Sequence, residues 1–455
     1  MLLGASRLKR SILVVILGLW AGVSLVSCGS SKAKGPPSGL TDRVLVSQGV
    51  SAGLTFGGLV YINGEFDILA PVPPLSAGSS PGLMALSPTR DIVVALDTST
   101  PATPTVYAVD TVRESNLGHV LLPGPSSSLV VPTADAIGYA AVPTASVNGF
   151  SFVGAVEVLN LSAGSITTTI GVTNAKTVIS NSTGSQLLVF SNDSDSVTLL
   201  TPANAVPPVD TSCFTNPPNS VCTIVPGFDR PVYAIISGST AYIFNCGAEC
   251  GGTQASVQTL DLNTLAVGTP VNVNGATFGL LNGTTLYIAG KGSTTGPLCS
   301  SLTNSINPKT AATYCGTLDI VDLTAMTDPY FNNPGSEIAI PDGYHDRMDM
   351  SVNGQLFVGS HDCTDIGNVN NPSGEVRGCL AIYNTNAGAL VIPPDNGDVN
   401  GLQSFTTRYV EYVAEGGNLR VYDTTKDVLL ENSYVPLGTI DVVGYVGDVK
   451  AIDFF

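Results

Sequence analysis

Seven titratable residues in three short clusters offer the richest chemistry in this chain. They are His345, Asp346 and Arg347, then His361 and Asp362, and finally Asp229 and Arg230. A histidine beside a carboxylate can hold a metal ion or transfer protons in general acid–base catalysis. The same residue types also form plain ion pairs that tie structural elements together. The clusters alone therefore leave binding, catalytic and structural interpretations open.

Residues 394–401 (PDNGDVNG) resemble part of a calcium-binding loop. Asp395, Asp398 and Asn400 supply oxygen ligands around a tight glycine turn, which suits Ca²⁺. An EF-hand loop carries an acidic residue at its twelfth position, where this chain has Thr406. The alternative is therefore an ordinary turn without a metal ion.

The N-terminus carries the pattern of an export signal. A basic segment with Arg7, Lys9 and Arg10 precedes an apolar stretch, and this stretch ends in Leu-Val-Ser-Cys at residues 25–28. The arrangement resembles the lipobox of bacterial lipoproteins, in which the cysteine becomes the new, lipidated N-terminus.

The resemblance to lipoproteins implies a signal peptide at residues 1–27 and acyl chains on Cys28. Several acyl chains make a stable membrane anchor, so the membrane is the first expected partner. Gly29 stands where an aspartate would favour the inner membrane, which favours an outer-membrane location in the bacterial cell envelope. Residues 28–42 are rich in Gly, Ser and Pro and are expected to form a flexible tether.

The eight cysteines after Cys28 agree with export, because disulfides form in oxidising compartments. They fall into four local pairs, which are Cys213/Cys222, Cys246/Cys250, Cys299/Cys315 and Cys363/Cys379. Sequence alone permits 105 connectivities, so nearest-neighbour pairing is a hypothesis. A zinc site is the weaker alternative, since Cys246 and Cys250 lack a second such pair and nearby histidines.

Composition favours a folded β protein. Hydrophobic residues make up 44% of the 455 residues, which is enough to bury a sizeable core. The 49 glycines and 30 prolines argue against long helices. The net charge of −17 argues against a nucleic-acid partner, which would require a basic surface.

One hexapeptide pattern of alternating apolar residues, closed by Asp, Asn or Thr, occurs eight times. The copies lie at 58–63, 105–110, 155–160, 196–201, 256–261, 317–322, 379–384 and 418–423. They end 39 to 62 residues apart, which is typical of propeller blades lengthened by loop insertions. The alternation places apolar side chains on one face of a strand, and the terminal Asp or Asn closes a turn through its side chain.

A second apolar run precedes every copy, and further short strands flank the two. The prediction is an all-β propeller of eight four-stranded antiparallel blades over residues 43–455, with seven blades as the alternative. We name the strands A to D from the channel outward. The domain starts at a strand B (43–46) and ends with an unaccompanied strand A (448–455). We therefore expect the last strand to complete the first blade and close the ring.

Two other β architectures fit the pattern less well. Strands of an outer-membrane barrel span 9–11 residues, whereas these have about 5–6. A row of β-sandwich domains would not explain eight copies of one hexapeptide.

Units such as residues 354–392 and 409–430 resemble the YVTN-type β-propellers of exported bacterial proteins and, more loosely, lactonase-like propellers. This resemblance implies a fold and not an activity, because propellers host many unrelated functions. We therefore expect a lipid-anchored module that binds a protein, a glycan or a small ligand without turnover. The alternative is a lactonase-like or metal-assisted hydrolase with its site at the mouth of the central channel.

The predicted blades bring the three titratable clusters to one face. D-to-A junctions and B-to-C loops of a propeller emerge around the same channel mouth. The sequence places residues 229–230 and 345–347 in D-to-A junctions, and residues 361–362 in a B-to-C loop. The mouth of the channel is thus the expected binding site.

Replacing Cys28 with Ala should abolish incorporation of labelled palmitate and release the protein from the membrane fraction, because the acyl acceptor is gone. Fractionation and acyl labelling of cells measure both effects. Ser30→Ala, two positions away, is the control and should stay acylated. Retention of the Cys28→Ala protein in membranes would contradict the anchor.

Overall fold

A computed structural model describes residues 36–50, 57–147, 153–215, 217–291, 315–331, 333, 336–363, 379–393, 397–431 and 438–453. The chain divides into two compact units, Met1–Thr41 and Asp42–Phe455. The strands below all belong to the second unit. Cys28 and the signal sequence predicted before it lie outside the described residues. Within the described part, no helix is long and apolar enough to cross a membrane.

The described strands, numbered in chain order, form eight sheets. From the channel outward, blade 1 contains β34 (Tyr445–Ala451), β1 (Arg43–Gly49), β2 (Gly58–Asn63) and β3 (Ile68–Leu69); blade 2 contains β4 (Pro81–Leu86), β5 (Ile92–Asp97), β6 (Thr105–Asp110) and β7 (Ser115–Leu121); and blade 3 contains β8 (Ser128–Val130), β9 (Ile137–Ser146), β10 (Val153–Asn160), β11 (Ser165–Gly171) and β15 (Val209–Asp210). Blade 4 contains β12 (Ala175–Ser180), β13 (Leu187–Ser191), β14 (Ser196–Leu200) and β16 (Cys222–Pro226); blade 5 contains β17 (Pro231–Ser237), β18 (Thr240–Asn245), β19 (Ser256–Asp261) and β20 (Val271–Asn272); and blade 6 contains β21 (Phe278–Asn282), β22 (Thr285–Gly290), β23 (Gly316–Asp322) and β24 (Ile338–Ile340). Blade 7 contains β25 (Tyr344–Met350), β26 (Gln355–His361), β27 (Leu380–Asn384) and β28 (Ala389–Val391); and blade 8 contains β29 (Val399–Ser404), β30 (Val410–Glu415), β31 (Asn418–Asp423) and β32 (Val428–Leu429), with β33 (Thr439–Ile440) also paired with β31. Among the described residues, the helical elements are a short helix α1 (Ser212–Thr215) and two 3₁₀ turns, Pro202–Asn204 and Gly247–Cys250.

The innermost strands form a closed ring. Each contacts the innermost strand of the next sheet, in the order β34, β4, β8, β12, β17, β21, β25, β29 and back to β34. The predicted eight-bladed β-propeller is confirmed, and the seven-bladed alternative is wrong.

Each hexapeptide copy occupies the third strand of its sheet, as predicted. Burial is more complete than alternation alone suggests. Five of the six residues of β2 are buried, and so are all six of β5. The reason is that neighbouring blades pack face to face, so a middle strand has no solvent side.

The terminal Asp and Asn residues of the hexapeptides close turns, as predicted. In seven copies the side-chain Oδ1 accepts a backbone N–H two or three residues further along. The Asp261 carboxylate, for example, accepts the amides of Asn263 (2.9 Å) and Thr264 (2.7 Å). These Asx turns start the hairpin to the outer strand.

The copy that ends in Thr201 instead of Asp or Asn behaves differently. After β14 the chain makes an excursion before it returns as β16. The excursion contributes α1 and also β15, which adds in parallel to the outer edge of blade 3. The missing turn residue therefore marks the point where the chain leaves the simple hairpin.

The last described strand closes the ring, as predicted. β34 pairs antiparallel with β1, for instance Val44 with Ala451. The Arg43 guanidinium donates to both Asp453 oxygens (Nε 2.8 Å, Nη2 2.9 Å) and to Glu114 (3.0 Å) of blade 2. Phe454 and Phe455, also predicted in this blade, lie outside the described residues.

Three of the predicted local disulfides lie in the described residues: Cys213–Cys222, Cys246–Cys250 and Cys363–Cys379. Cys315 is also disulfide-bonded, and Cys299, its predicted partner, lies outside the described residues. The first disulfide ties α1 to the start of β16, and the second spans a B-to-C connection of blade 5. Disulfides thus hold insertions onto the blades.

Replacing Arg43 with Met should lower the free energy of unfolding by about 3 kcal/mol or more, because it removes the guanidinium that pairs with Asp453 and Glu114 at the closing blade. Urea denaturation measures the change. Arg113→Met is the matched control, since Arg113 pairs with Asp110 while its side chain is 80% exposed. It should cost less than about 1 kcal/mol. Equal effects of the two substitutions would contradict the closing role of Arg43.

Candidate functional site

The central channel is lined by residues from all eight innermost strands and has a volume of about 510 Å³. The charged residues at its wall are Lys176, Asp346, Arg347, Asp448 and Lys450. A cavity of this size with a few convergent polar groups is a typical ligand site.

Asp346 lies at the centre of the polar network in the channel. The register of β25 and β26 shifts between His345 and Arg347, so Asp346 is the extra residue of a β-bulge. Such a bulge re-aims a side chain. The Asp346 carboxylate lies 3.1 Å from Arg347 Nη1 and 3.0 Å from His361 Nε2. The two clusters predicted at 345–347 and 361–362 thus meet through Asp346.

Arg347 is anchored in turn. Its Nε donates to the carbonyl of Asn400 in blade 8 (2.8 Å), and Nη1 donates to the carbonyl of Asp346 (2.9 Å). The guanidinium therefore holds both the bulge and the neighbouring inner strand.

The sequence placed His361 in a B-to-C loop, but in the structure it is the last residue of β26. Its imidazole is about one quarter exposed and lies between two carboxylates, with Nδ1 4.0 Å from Asp398. The amide of Asp362 donates to Asp398 (2.8 Å), which holds this carboxylate beside the ring. The arrangement can carry protons between Asp346 and solvent.

His345 lies apart from this network. Only 1% of the residue is exposed, and Nε2–H donates to the Pro341 carbonyl (3.0 Å). The ring packs against Gly316 of blade 6, where any Cβ would overlap it. Burial lowers the pKa of His345 to about 4. The imidazole is therefore neutral and holds the seam between blades 6 and 7.

Asp229 and Arg230 immediately precede β17, in the predicted D-to-A junction. The Asp229 carboxylate accepts the amides of Thr253 (3.0 Å) and Gln254 (2.8 Å). Burial alone would raise its pKa, but hydrogen bonds from Thr253 and Gln254 lower it. Asp229 thus holds a loop, whereas Arg230 lines a second cavity of about 220 Å³.

The proposed calcium ligands are only partly described, because Asp395 lies outside the described residues. Asp398 faces His361 and Asp362, whereas the Asn400 amide donates to the Tyr445 hydroxyl (3.0 Å). Asp398 also lies within 4.8 Å of the sulfurs of Cys363 and Cys379, but the disulfide uses both sulfurs.

Lys176, Asp448 and Lys450 are channel residues that the sequence analysis missed. The Asp448 carboxylate binds Lys450 (2.8 Å) and accepts the Met84 amide of blade 2 (2.8 Å). The available signal was a charged residue inside a predicted innermost strand, as in Asp448-Val449-Lys450.

Residues 78–82 match the G-x-S-x-G pattern of hydrolase nucleophile elbows. Such an elbow joins a strand to a helix. Here Ser80 directly precedes β4, and its amide donates to Asp97 (2.7 Å). The match is therefore a turn at the start of an innermost strand.

The chain matches no known protein-family model, and it matches no curated protein. Solved structures do share its architecture. Dihydro-haem d1 dehydrogenase NirN, solved with DHE, is 12% identical, with 91% of this chain and 75% of that chain covered and a TM-score of 0.54. Hydrazine synthase from Kuenenia stuttgartiensis is 12% identical, with coverages of 78% and 98% and a TM-score of 0.50.

The periplasmic gluconolactonase of Pseudomonas aeruginosa is 13% identical, with 90% of this chain and 98% of that chain covered and a TM-score of 0.43. Identities this low concern the fold alone. The activity of a propeller depends on the residues of its site, which in this chain are those of the channel.

His345→Gln should make the free energy of unfolding depend less on pH between pH 6.5 and pH 4. The folded pKa near 4 lies below the usual 6.5, so the contribution of His345 is present above pH 6.5 and is lost as the pH falls towards 4. The stability difference between wild type and variant should change by about 3 kcal/mol over that range. Urea denaturation at several pH values measures it.

His119→Gln is the control, because His119 stacks on Tyr107 in an outer strand (ring centroids 5.6 Å apart). His119 is exposed in β7, so its substitution should change the free energy of unfolding by less than about 0.5 kcal/mol. A pH-independent difference between wild type and His345→Gln would contradict the burial of a neutral imidazole.

Proposed function

We propose that the channel mouth binds a small polar ester or lactone and hydrolyses it, with Asp346 as the proton acceptor. The observation that carries the proposal is the position of Asp346. Its side chain lines the cavity and contacts both the Arg347 guanidinium and the His361 imidazole. A lactonase-like or metal-assisted hydrolase with its site at the channel mouth is the alternative that the sequence left open, and the proposed reaction belongs to that class.

Hydrolysis in this site needs one water molecule and no other reactant. Asp346 takes a proton from the water molecule while the water oxygen forms a bond to the carbonyl carbon. The oxyanion that forms is stabilised by the positive charge of Arg347 at the same wall. The bond from carbon to the ring oxygen then breaks, and this oxygen receives the proton from Asp346. The product is a hydroxy acid.

His361 would assist the proposed hydrolysis indirectly, through its contact with Asp346. Its Nε2 lies 3.0 Å from the Asp346 carboxylate, and its side chain is 23% exposed, so the ring offers a route for protons to solvent. We treat His361 as a positioning residue, because it does not line the cavity itself.

Binding without turnover is the second candidate. Both Asp346 oxygens already face a cationic or imidazole partner, so a reacting water would have to compete with these contacts for the carboxylate. The same polar mouth would then hold a small ligand, a glycan or a protein loop.

We also infer that Cys28 anchors the propeller to a membrane of the bacterial cell envelope, where the channel would meet its ligand. The lipobox at residues 25–28 supports this location.

Asp346→Asn should reduce kcat/KM for hydrolysis of glucono-δ-lactone by about 100-fold or more, because the amide cannot accept the proton. A pH-stat measures the rate above the uncatalysed background. Asp135→Asn, an exposed position, is the control and should keep full activity. Wild-type protein that binds gluconate without exceeding the background rate would overturn hydrolysis in favour of binding.

A further inference from the structure

The side chain of Lys176 extends across part of the channel mouth. Lys176 belongs to the innermost strand of blade 4, and Tyr344 opens the innermost strand of blade 7. The Lys176 ammonium lies 5.7 Å from the centroid of the Tyr344 ring, although blades 5 and 6 stand between their strands. This cation–π contact therefore joins two separated blades.

The Lys176–Tyr344 contact lies where two cavities adjoin. The channel and the second cavity of about 220 Å³ share Lys176, Thr177, Val232 and Tyr344 as lining residues. The second cavity adds Arg230 and Asn192 to its wall, together with Cys250 of the disulfide-tied turn. Movement of one lysine side chain would join the two spaces.

Charge distinguishes Lys176 from the other cations of the channel. Arg347 is paired with Asp346, and Lys450 is paired with Asp448. Lys176 forms no ion pair among the described residues, and its described partner is the Tyr344 ring.

Arg230 is the second cation of this cavity. Its pair with Asp195 is loose, with Nε 3.6 Å from a carboxylate whose side chain is 65% exposed. Asp193 also lies at the wall, so the cavity is not uniformly basic. Asp193 and Arg230 both have left-handed backbone conformations (φ 58° and 56°), as do nine other described residues that are not glycine.

We propose that the second cavity is an oxyanion subsite, in which Lys176 and Arg230 bind the phosphate, sulfate or carboxylate group of a small ligand whose remainder lies in the channel. An oxyanion offers Lys176 a charge-assisted hydrogen bond, which is stronger than its contact with the Tyr344 ring. The ammonium then leaves the ring and the two cavities become one. The inference rests on the proposed use of the channel mouth as the ligand site, but it does not require turnover.

Calorimetric titration at constant ionic strength tests the subsite. The probes are inorganic phosphate, glucose 6-phosphate and gluconate, with neutral glucose as the reference. We expect at least one anionic sugar to bind more tightly than glucose, and the comparison of phosphate ester with carboxylate identifies the preferred group. Lys176→Met and Arg230→Gln should each weaken anion binding at least tenfold and leave glucose unchanged.

The matched control is Arg113→Gln, which removes one positive charge at an exposed site outside both cavities. It should bind the anions like the wild type. Equal weakening by Arg113→Gln, or unchanged anion binding in both cavity variants, would overturn the subsite. A thermal melt of each variant verifies folding, and Lys176 is exposed, so its substitution should not disturb the fold.

The two proposals fail separately. If no lactone is hydrolysed but Lys176→Met loses anion binding, the hydrolase proposal is wrong and the subsite stands. If the wild type hydrolyses lactone and Lys176→Met binds anions normally, only the subsite is wrong.

Discussion

Face-to-face packing of the sheets is the constraint on which this structure depends. The middle strands of a blade bury both faces, so every blade needs a neighbour on each side. Only a closed ring gives the first and last blades such neighbours. The pairing of β1 with β34 supplies the closure, and Arg43 locks it to blade 2. A second clamp joins blade 8 to blade 1, where the Arg408 guanidinium holds Asp67 through two hydrogen bonds (2.7 and 2.6 Å).

The same packing traps carboxyl groups between blades and makes stability depend on pH. Glu157 is fully buried, and burial raises its pKa to about 7 although the Thr169 hydroxyl opposes the shift. The contribution of Glu157 to the free energy of unfolding is present below pH 4.5 and is lost as the pH rises through 7. Burial, together with the nearby Asp349 carboxylate, also raises the pKa of Glu411 well above its usual range. The buried carboxyl groups thus destabilise the fold as the pH rises, whereas the stabilising contribution of His345 is lost as the pH falls.

Most of the architecture could be read from the sequence because its signals are local. The alternation of a hexapeptide such as residues 105–110 and the Asx turn after it depend on neighbours within a few positions. Closure was also visible, since the first predicted blade lacked its strand A and the chain ended in a strand A without the other strands of a blade.

The candidate site was harder to predict, because it depends on contacts between distant strands. Asp346 and His361 were singled out, but only the β-bulge turns Asp346 towards His361 and the channel. His345, its neighbour, faces the opposite way and is buried. Lys176 is a charged residue of an innermost strand, but the sequence did not reveal its contact with Tyr344, which lies three blades further along the chain.

The contact between Arg43 and Asp453 also determines when the ring can close during synthesis. Arg43 and Asp453 are 410 positions apart. At a synthesis rate of about 5–20 residues per second, the partner of Arg43 is made roughly 20–80 s later. During that interval β1 has one unpaired edge and no neighbour on the side of blade 8. The edge of β1 therefore stays open to pairing with other chains until the final strand has been made.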